Sequence, residues 1–219
     1  MRRLLLLRPE PGLSASVRRA REIGLDVIAC PLFRVEPIAW TAPDPGGYDA
    51  LLLTSANAVR HGGPALGVLQ ELPVHAVGAA TAAAAREAGL AVASVGQGNV
   101  ADLLATLPGN LRLLHLSGQH HRPTGGRALD RRVVYRSAAI EDPGLPPLGG
   151  LAIAVHSRRA GARLGELADD RTRAAIAAIS QATAEAAGHG WERVDVAERP
   201  DDASLLALAA MLCHTSPPT

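Results

Sequence analysis

Short, unbroken aliphatic runs alternate with longer segments of helical periodicity along the chain. Leu4–Leu7, Val27–Ala29, Leu51–Leu53, Val74–Val77 and Val92–Val95 read as strands, as do Leu113–Leu116, Val133–Tyr135, Leu151–Val155, Ile176–Ile179 and Val194–Val196. Most are continuous rather than alternating, a pattern suited to strands covered on both faces of a parallel sheet. Between them Val100, Leu103, Leu104 and Leu107 form an i, i+3, i+4, i+7 stripe with Asn99 at the N-cap position. Leu205, Leu208, Ala209 and Leu212 repeat that stripe after Asp201-Asp202. Strand and helix alternate throughout, so the expected class is α/β with parallel sheets.

The pattern also repeats itself. LLLTSANAV (51–59) lies 102 residues before IAVHSRRAG (153–161), placing Ser55 on Ser157. VHAVGAATAAAA (74–85) lies at the same offset from IAAISQATAEAA (176–187), placing Thr81 on Thr183; Leu103-Leu104 then falls on Leu205-Leu206, and Phe33-Arg34 on Tyr135-Arg136. At roughly 150 residues per domain, 219 residues leave one large or two small domains open. A repeat of about half the chain decides for two small, similar ones.

Within both repeats a Ser or Thr follows a strand or opens the next helix: Thr54-Ser55 and Thr81, then Ser157 and Thr183. Such junctions lie at the carboxyl edge of a parallel sheet, where ligands bind. Helix starts there offer unpaired N–H groups and a positive dipole end to anions. A dipole end contributes about 0.3–1 kcal/mol and a hydrogen bond to a charged group about 1.5–3 kcal/mol, so several together approach the roughly 8 kcal/mol of micromolar binding. The alternative is that these hydroxyls are ordinary N-caps.

Composition narrows the chemistry. All 22 basic residues are Arg, so Schiff-base chemistry and a P-loop lysine are excluded. A net charge of +1 gives no polyanion-binding bulk field, and five aromatics (Phe33, Trp40, Tyr48, Tyr135, Trp191) offer almost no base-stacking platform. The pairs Arg2-Arg3, Arg18-Arg19, Arg131-Arg132 and Arg158-Arg159 read as solvated faces. Cys30 and Cys213, far apart and without a CxxC, read as buried thiols in a reducing compartment. MRRLLLLRPEPG is too short in apolar residues for a signal sequence, and no run approaches 18 apolar residues, so a cytoplasmic protein is expected. His115, His120 and His121 lack the Cys or acidic partners of a zinc site, and no metal or cofactor is expected.

In order and spacing, LLLRPEP (5–11), PLFRVEPI (31–38), DALLLTSANAV (49–59), VHAVGAATAAAAREAGL (74–90), VVYRS (133–137) and IAAISQATAEAAGHGW (176–191) resemble the uroporphyrinogen-III synthase family. The resemblance implies two flavodoxin-like α/β domains joined by a two-stranded linker. Residues 1–34 with 143–219 would form a discontinuous domain, 39–135 the other, and about 33–38 and 134–142 the linkers. It implies a cyclising hydro-lyase of tetrapyrrole biosynthesis that closes hydroxymethylbilane to uroporphyrinogen III, losing water and inverting ring D. The substrate's eight carboxylates suit the anion-receptive junctions, and its own hydroxyl leaves, so the protein supplies shape before chemistry.

Carried over by position, Arg8, Thr54, Ser55, Thr81, Ser157 and Thr183 would hold substrate carboxylates, and Tyr135 would assist departure of the hydroxyl. A phenol is an acid rather than a base at neutral pH. The expected partners are the polycarboxylate substrate and, transiently, the preceding pathway enzyme, with a monomer and neither nucleic acid nor membrane. Two departures stand out: Ser180 replaces a family glycine at the counterpart of Gly78, and His156-Ser157-Arg158-Arg159 is unusually charged, an additional carboxylate clamp in the making. The rival reading is a non-catalytic bilobed binding module for a small polycarboxylate.

Overall fold

A computed structural model describes residues 1–120, 127 and 129–215. Among these the chain runs through β1 (Leu4–Leu6), α1 (Gly12–Glu22), β2 (Val27–Ala29), β3 (Phe33–Pro37), β4 (Ala50–Leu53) and α2 (Ala56–Arg60). It continues through β5 (Val74–Val77), α3 (Ala79–Glu87), β6 (Val92–Gly96), α4 (Val100–Ala105), β7 (Leu113–Gly118) and β8 (Asp130–Ala139). The last stretch holds β9 (Ala152–Val155), α5 (Arg158–Leu167), β10 (Ala175–Ala178), α6 (Gln181–Ala187), β11 (Arg193–Val196) and α7 (Asp202–His214). All ten expected strands form, and the chain is α/β with two mostly parallel sheets. The stripe after Asn99 is helical only to Ala105, because Pro108 disfavours helical backbone at Leu107.

Met1–Arg34 with Ala139–Thr219 make one compact unit and Val35–Ala138 the other. The first unit's sheet has the order β11-β10-β9-β1-β2, with every pair parallel. The second has β6-β5-β4-β7-β8, with β3 added at the β8 edge. Bonds from Ile38 N–H to the Val134 carbonyl and from Ile140 N–H to the Leu32 carbonyl, both 3.0 Å, run that added pair antiparallel.

The repeat becomes visible element by element. At the offset of 102, β4, α2, β5, α3, β6 and α4 fall on β9, α5, β10, α6, β11 and α7. If β1 and β2 stand for β7 and β8, the two strand orders are identical. Each sheet is thus a circular rearrangement of the other in chain order, which explains why the sequence repeat and the spatial units have different boundaries.

Strand alternation divides each sheet between two cores. In the first unit Leu5, Leu7, Ile153, Val155 and Ile176 face one core, and Leu4, Leu6, Ala152, Ala154 and Ala175 the other. In the second, Leu51, Leu53, Val74, Leu114 and Leu116 face the larger core and Ala50, Leu52 and Leu113 a smaller one. Helices α5 and α6 meet almost backbone to backbone: a Cβ on Gly161 would stand 2.7 Å from the Thr183 carbonyl oxygen, and one on Gly165 2.9 Å from that of Ala187. Arg2 departs from the solvated role expected of it. It is buried and bidentate to Glu192 at 2.5 and 3.0 Å, because its own N–H is tied to the Cys213 carbonyl at the end of α7 at 2.8 Å, whereas Arg3 beside it stays exposed. Both cysteines are free and buried, one in each core of the first unit.

Candidate functional site

In open parallel sheets ligands bind outside the carboxyl ends of strands, where the strand order reverses direction. The reversal lies between β1 and β9 in the first unit and between β4 and β7 in the second. Thr54 and Ser55 follow β4, Gly118 ends β7, and Tyr135 on β8 pairs with Gly118. In the first unit Arg8 follows β1, and His156 and Ser157 follow β9. Two of the expected residues, Thr81 and Thr183, follow β5 and β10 and lie one strand away from a reversal.

The two serines do cap helices. Ser55 Oγ accepts from Asn57 N–H and Ser157 Oγ from Ala160 N–H, both at 3.2 Å. Capping uses the oxygen as acceptor and leaves each O–H as a donor, so the capping and ligand-binding roles coexist. Thr54 Oγ1 lies 3.1 Å from Nε2 of His115, a buried side chain on β7 that orients the hydroxyl at the edge. From sequence His115 reads only as a candidate metal ligand, because its partner Thr54 lies 61 residues away. His121 lies outside the described residues.

Thr81 and Thr183 sit at the third position of their helices and turn inward, 5% and 1% exposed. Thr183 is satisfied locally, its N–H on the Ser180 carbonyl at 2.9 Å and its hydroxyl 3.0 Å from Ser180 Oγ. The half-buried Ser180 is the more accessible hydroxyl. The exchange of glycine for Ser180 has a backbone cause. Gly78 caps α3 at φ 92°, whereas Ser180 caps α6 in extended backbone at φ −160°, which any residue adopts.

Arg8 is already engaged. Its Nη1 donates to Asp202 Oδ1 at 3.0 Å and to Ser16 Oγ at 2.9 Å, and its guanidinium lies where a Cβ on Gly12 would stand, within 2.6 Å. Asp202 also accepts from Ser16 Oγ at 2.6 Å and Arg19 Nη1 at 2.6 Å, and lies 2.7 Å from His156 Nε2. Any anion at Arg8 would therefore compete with Asp202. Burial pushes the Asp202 pKa up, but hydrogen bonds from His156, Ser16 and Arg19 outweigh it and hold the carboxyl well below its usual range. For His156 burial is the larger influence and pushes the imidazole down despite Asp202.

These shifts set a pH dependence. A depressed imidazole pKa means that the unfolded chain takes up a proton near pH 6.5 that the folded one resists, so stability falls on acidification from about that point. The depressed Asp202 carboxyl contributes stability that is complete above about pH 4 and is lost as pH falls further toward its folded value. Thermal midpoints followed from pH 8 to 3 should show both declines, and His156→Asn should weaken the upper one. Its persistence in part is expected, since burial also pushes His61 and His75 down.

Helix α5 opens with Arg158 and Arg159, two cations at the positive end of a helix dipole. Arg159 lies over the Phe33 ring at 4.6 Å, while Arg158 is exposed beside Ser157. An anion bound at the α5 start would offset this unfavourable placement. Arg158→Ala should accordingly raise the thermal midpoint by roughly 1–3 °C while raising KM for a polycarboxylate several-fold. An unchanged KM would return Arg158 to the solvated surface.

A surface cavity of about 580 Å³ lined by Asp44, Tyr48, Arg112 and Asp130 is set beside the amino ends of β4, β7 and β8, the edge that ligands of parallel sheets avoid.

Two doubly wound α/β units, each presenting hydroxyls and helix starts where its strand order reverses, define a class of twin-sheet α/β proteins. The chain matches the family described as uroporphyrinogen-III synthase HemD over residues 14–207 and belongs to it. Its fold is similar to that of uroporphyrinogen-III synthetase from Helicobacter pylori 26695, with 18% identity, a TM-score of 0.69 and coverage of 97% of this chain and 100% of that one. It is also similar to a mutant uroporphyrinogen III synthase from the extremely thermophilic bacterium Thermus thermophilus, with 23% identity, a TM-score of 0.55 and coverage of 97% and 99%. No curated protein matches.

Proposed function

We propose that the chain is an active uroporphyrinogen-III synthase that cyclises hydroxymethylbilane, releases water and delivers the product with ring D inverted. The observation that carries this reading is the placement of Tyr135, one of only two phenols in the chain, in register with Gly118 at the strand-reversal edge that also holds Thr54 and Ser55. A proton donor and anion-binding groups on one edge match a substrate that is polyanionic and whose leaving group is a hydroxyl.

In this reading Thr54, Ser55, Ser157 and Arg158 hold carboxylates, with Ser180 in place of the inward-turned Thr183. Tyr135 protonates the departing hydroxyl, which leaves as water; the substituted α-carbon of ring D bonds to the carbon so exposed, the bond from ring D to its neighbouring bridge breaks and is remade at ring D's unsubstituted α-carbon, and the proton lost from that carbon restores the phenol. Binding then fixes the chain ends in the geometry that favours attack at the substituted carbon, converting a free search into an oriented encounter. The test is product identity. Hydroxymethylbilane is supplied, the product oxidised and the isomers separated: type III above the spontaneous background supports the reading, and type I alone at the uncatalysed rate ends it.

A further inference from the structure

Tyr135 sits where the pairing of β7 with β8 breaks step. Leu114 to Ser117 face Asp130 to Val133 one for one, but the next pair is Gly118 with Tyr135, so Val134 is an extra residue in the ladder. In a regular strand adjacent side chains point to opposite faces. Here Val134 is fully buried in the core under α2 and α3, and Tyr135 packs against that same core. A bulge re-aims a side chain in this way.

The re-aimed ring comes down on Gly118. A Cβ there would stand 2.7 Å from Tyr135 Cζ, 2.8 Å from Cε2 and 2.9 Å from the phenolic oxygen, all at the functional end of the ring. Gly118 is not among the glycines with positive φ, so the ring and not the backbone conformation demands glycine. Gln119 N–H bonds to the Tyr135 carbonyl at 2.9 Å and holds the bulged strand from the other side of the contact. His61 lies beside the phenol, with ring centroids 6.2 Å apart, on a turn pinned by Trp40 Nε1 donating to the Gly62 carbonyl at 2.8 Å.

We infer that Gly118 is the positioning residue for Tyr135, its bare backbone serving as the seat that fixes the phenol at the edge of the second sheet. The inference deepens the role proposed for Tyr135 and rests on it. Gly118→Ala should lower kcat at least tenfold with KM within about twofold, and should add no further loss in a Tyr135→Phe background. Nitration by tetranitromethane with peptide mapping should show Tyr135 reacting faster in Gly118→Ala, with Tyr48 unchanged as internal reference. The thermal midpoint should fall in Gly118→Ala and recover when Tyr135→Val is added, a rescue that also reads out if the single variant fails to fold. Unchanged nitration of Tyr135, or a midpoint loss that Tyr135→Val does not relieve, overturns the seat. The expected nitration and rescue together with wild-type turnover in Tyr135→Phe would leave the seat standing and overturn the catalytic role it was inferred to serve.

Discussion

Tyr135→Phe is expected to slow cyclisation while leaving the fold intact, by a factor no larger than the roughly 10²–10⁴ of general acid catalysis. The bound follows from the chemistry proposed above: if the substrate generates its own electrophile, the phenol speeds departure of the hydroxyl without being indispensable to it. Retention of fold follows from the packing, since phenylalanine keeps the ring that packs on the core under α2 and α3 and the Cζ and Cε2 atoms that cover Gly118, and loses only the oxygen. Steady-state kinetics should show the loss in kcat with KM little changed, because the carboxylate-holding groups are untouched. The type III share should fall toward the spontaneous isomer as the uncatalysed route competes. Turnover at the wild-type rate would make Tyr135 a structural residue.

The second large effect concerns stability. Asp202→Asn should destabilise the first unit by about 2–4 kcal/mol, below the full cost of breaking a buried ion pair because Arg19 is half exposed and its share is screened. At roughly 2–4 °C per kcal/mol, the transition should move down by about 5–15 °C. The physical reason is concentration of partners: Arg8, Ser16, Arg19 and His156 all converge on this one carboxylate, whose side chain is 14% exposed. Arg8 and Ser16 come from α1 and the turn before it, His156 from the end of β9, so the carboxylate ties three elements to the start of α7. A midpoint within a degree of wild type would show these contacts to be energetically neutral.

What could be read in advance was whatever the chain repeats locally. Strands such as Leu51–Leu53 and Ile153–Val155 were legible because burial on both faces demands unbroken apolar runs. The N-cap at Asn99 was legible because capping is a short-range code, and the structure completes it with Asp102 as a capping box. The hydroxyls at the strand ends were legible as a set, through the recurrence of Ser55 and Ser157 at one offset. Their division into outward and inward members was not, because Thr183 turns in where Gly161 lets α5 approach α6. The engagement of Arg8 was hidden for a related reason: its partner Asp202 lies 194 residues away, and Asp201-Asp202 reads from sequence only as a helix start. The bulge at Val134 left no mark in the apolar pattern of VVYRS, since both a regular and a bulged strand accept those residues.

The circular relation between the two sheets bears on how the chain acquires its structure during synthesis. Every strand of the second sheet lies within one contiguous stretch from Phe33 to Ala139, so that sheet can close from contiguous sequence. In the first unit the interior strand β1 precedes the whole of the second unit in the chain, yet its neighbour on one side, β9, begins only at Ala152. Until then β1 can pair only with β2, and the apolar run Leu4–Leu7 waits while the second unit is made. Such long-range closure is intrinsically slow and leaves an unpaired strand edge exposed to association. The nascent β1–β2 segment is therefore where a chaperone has most to shield.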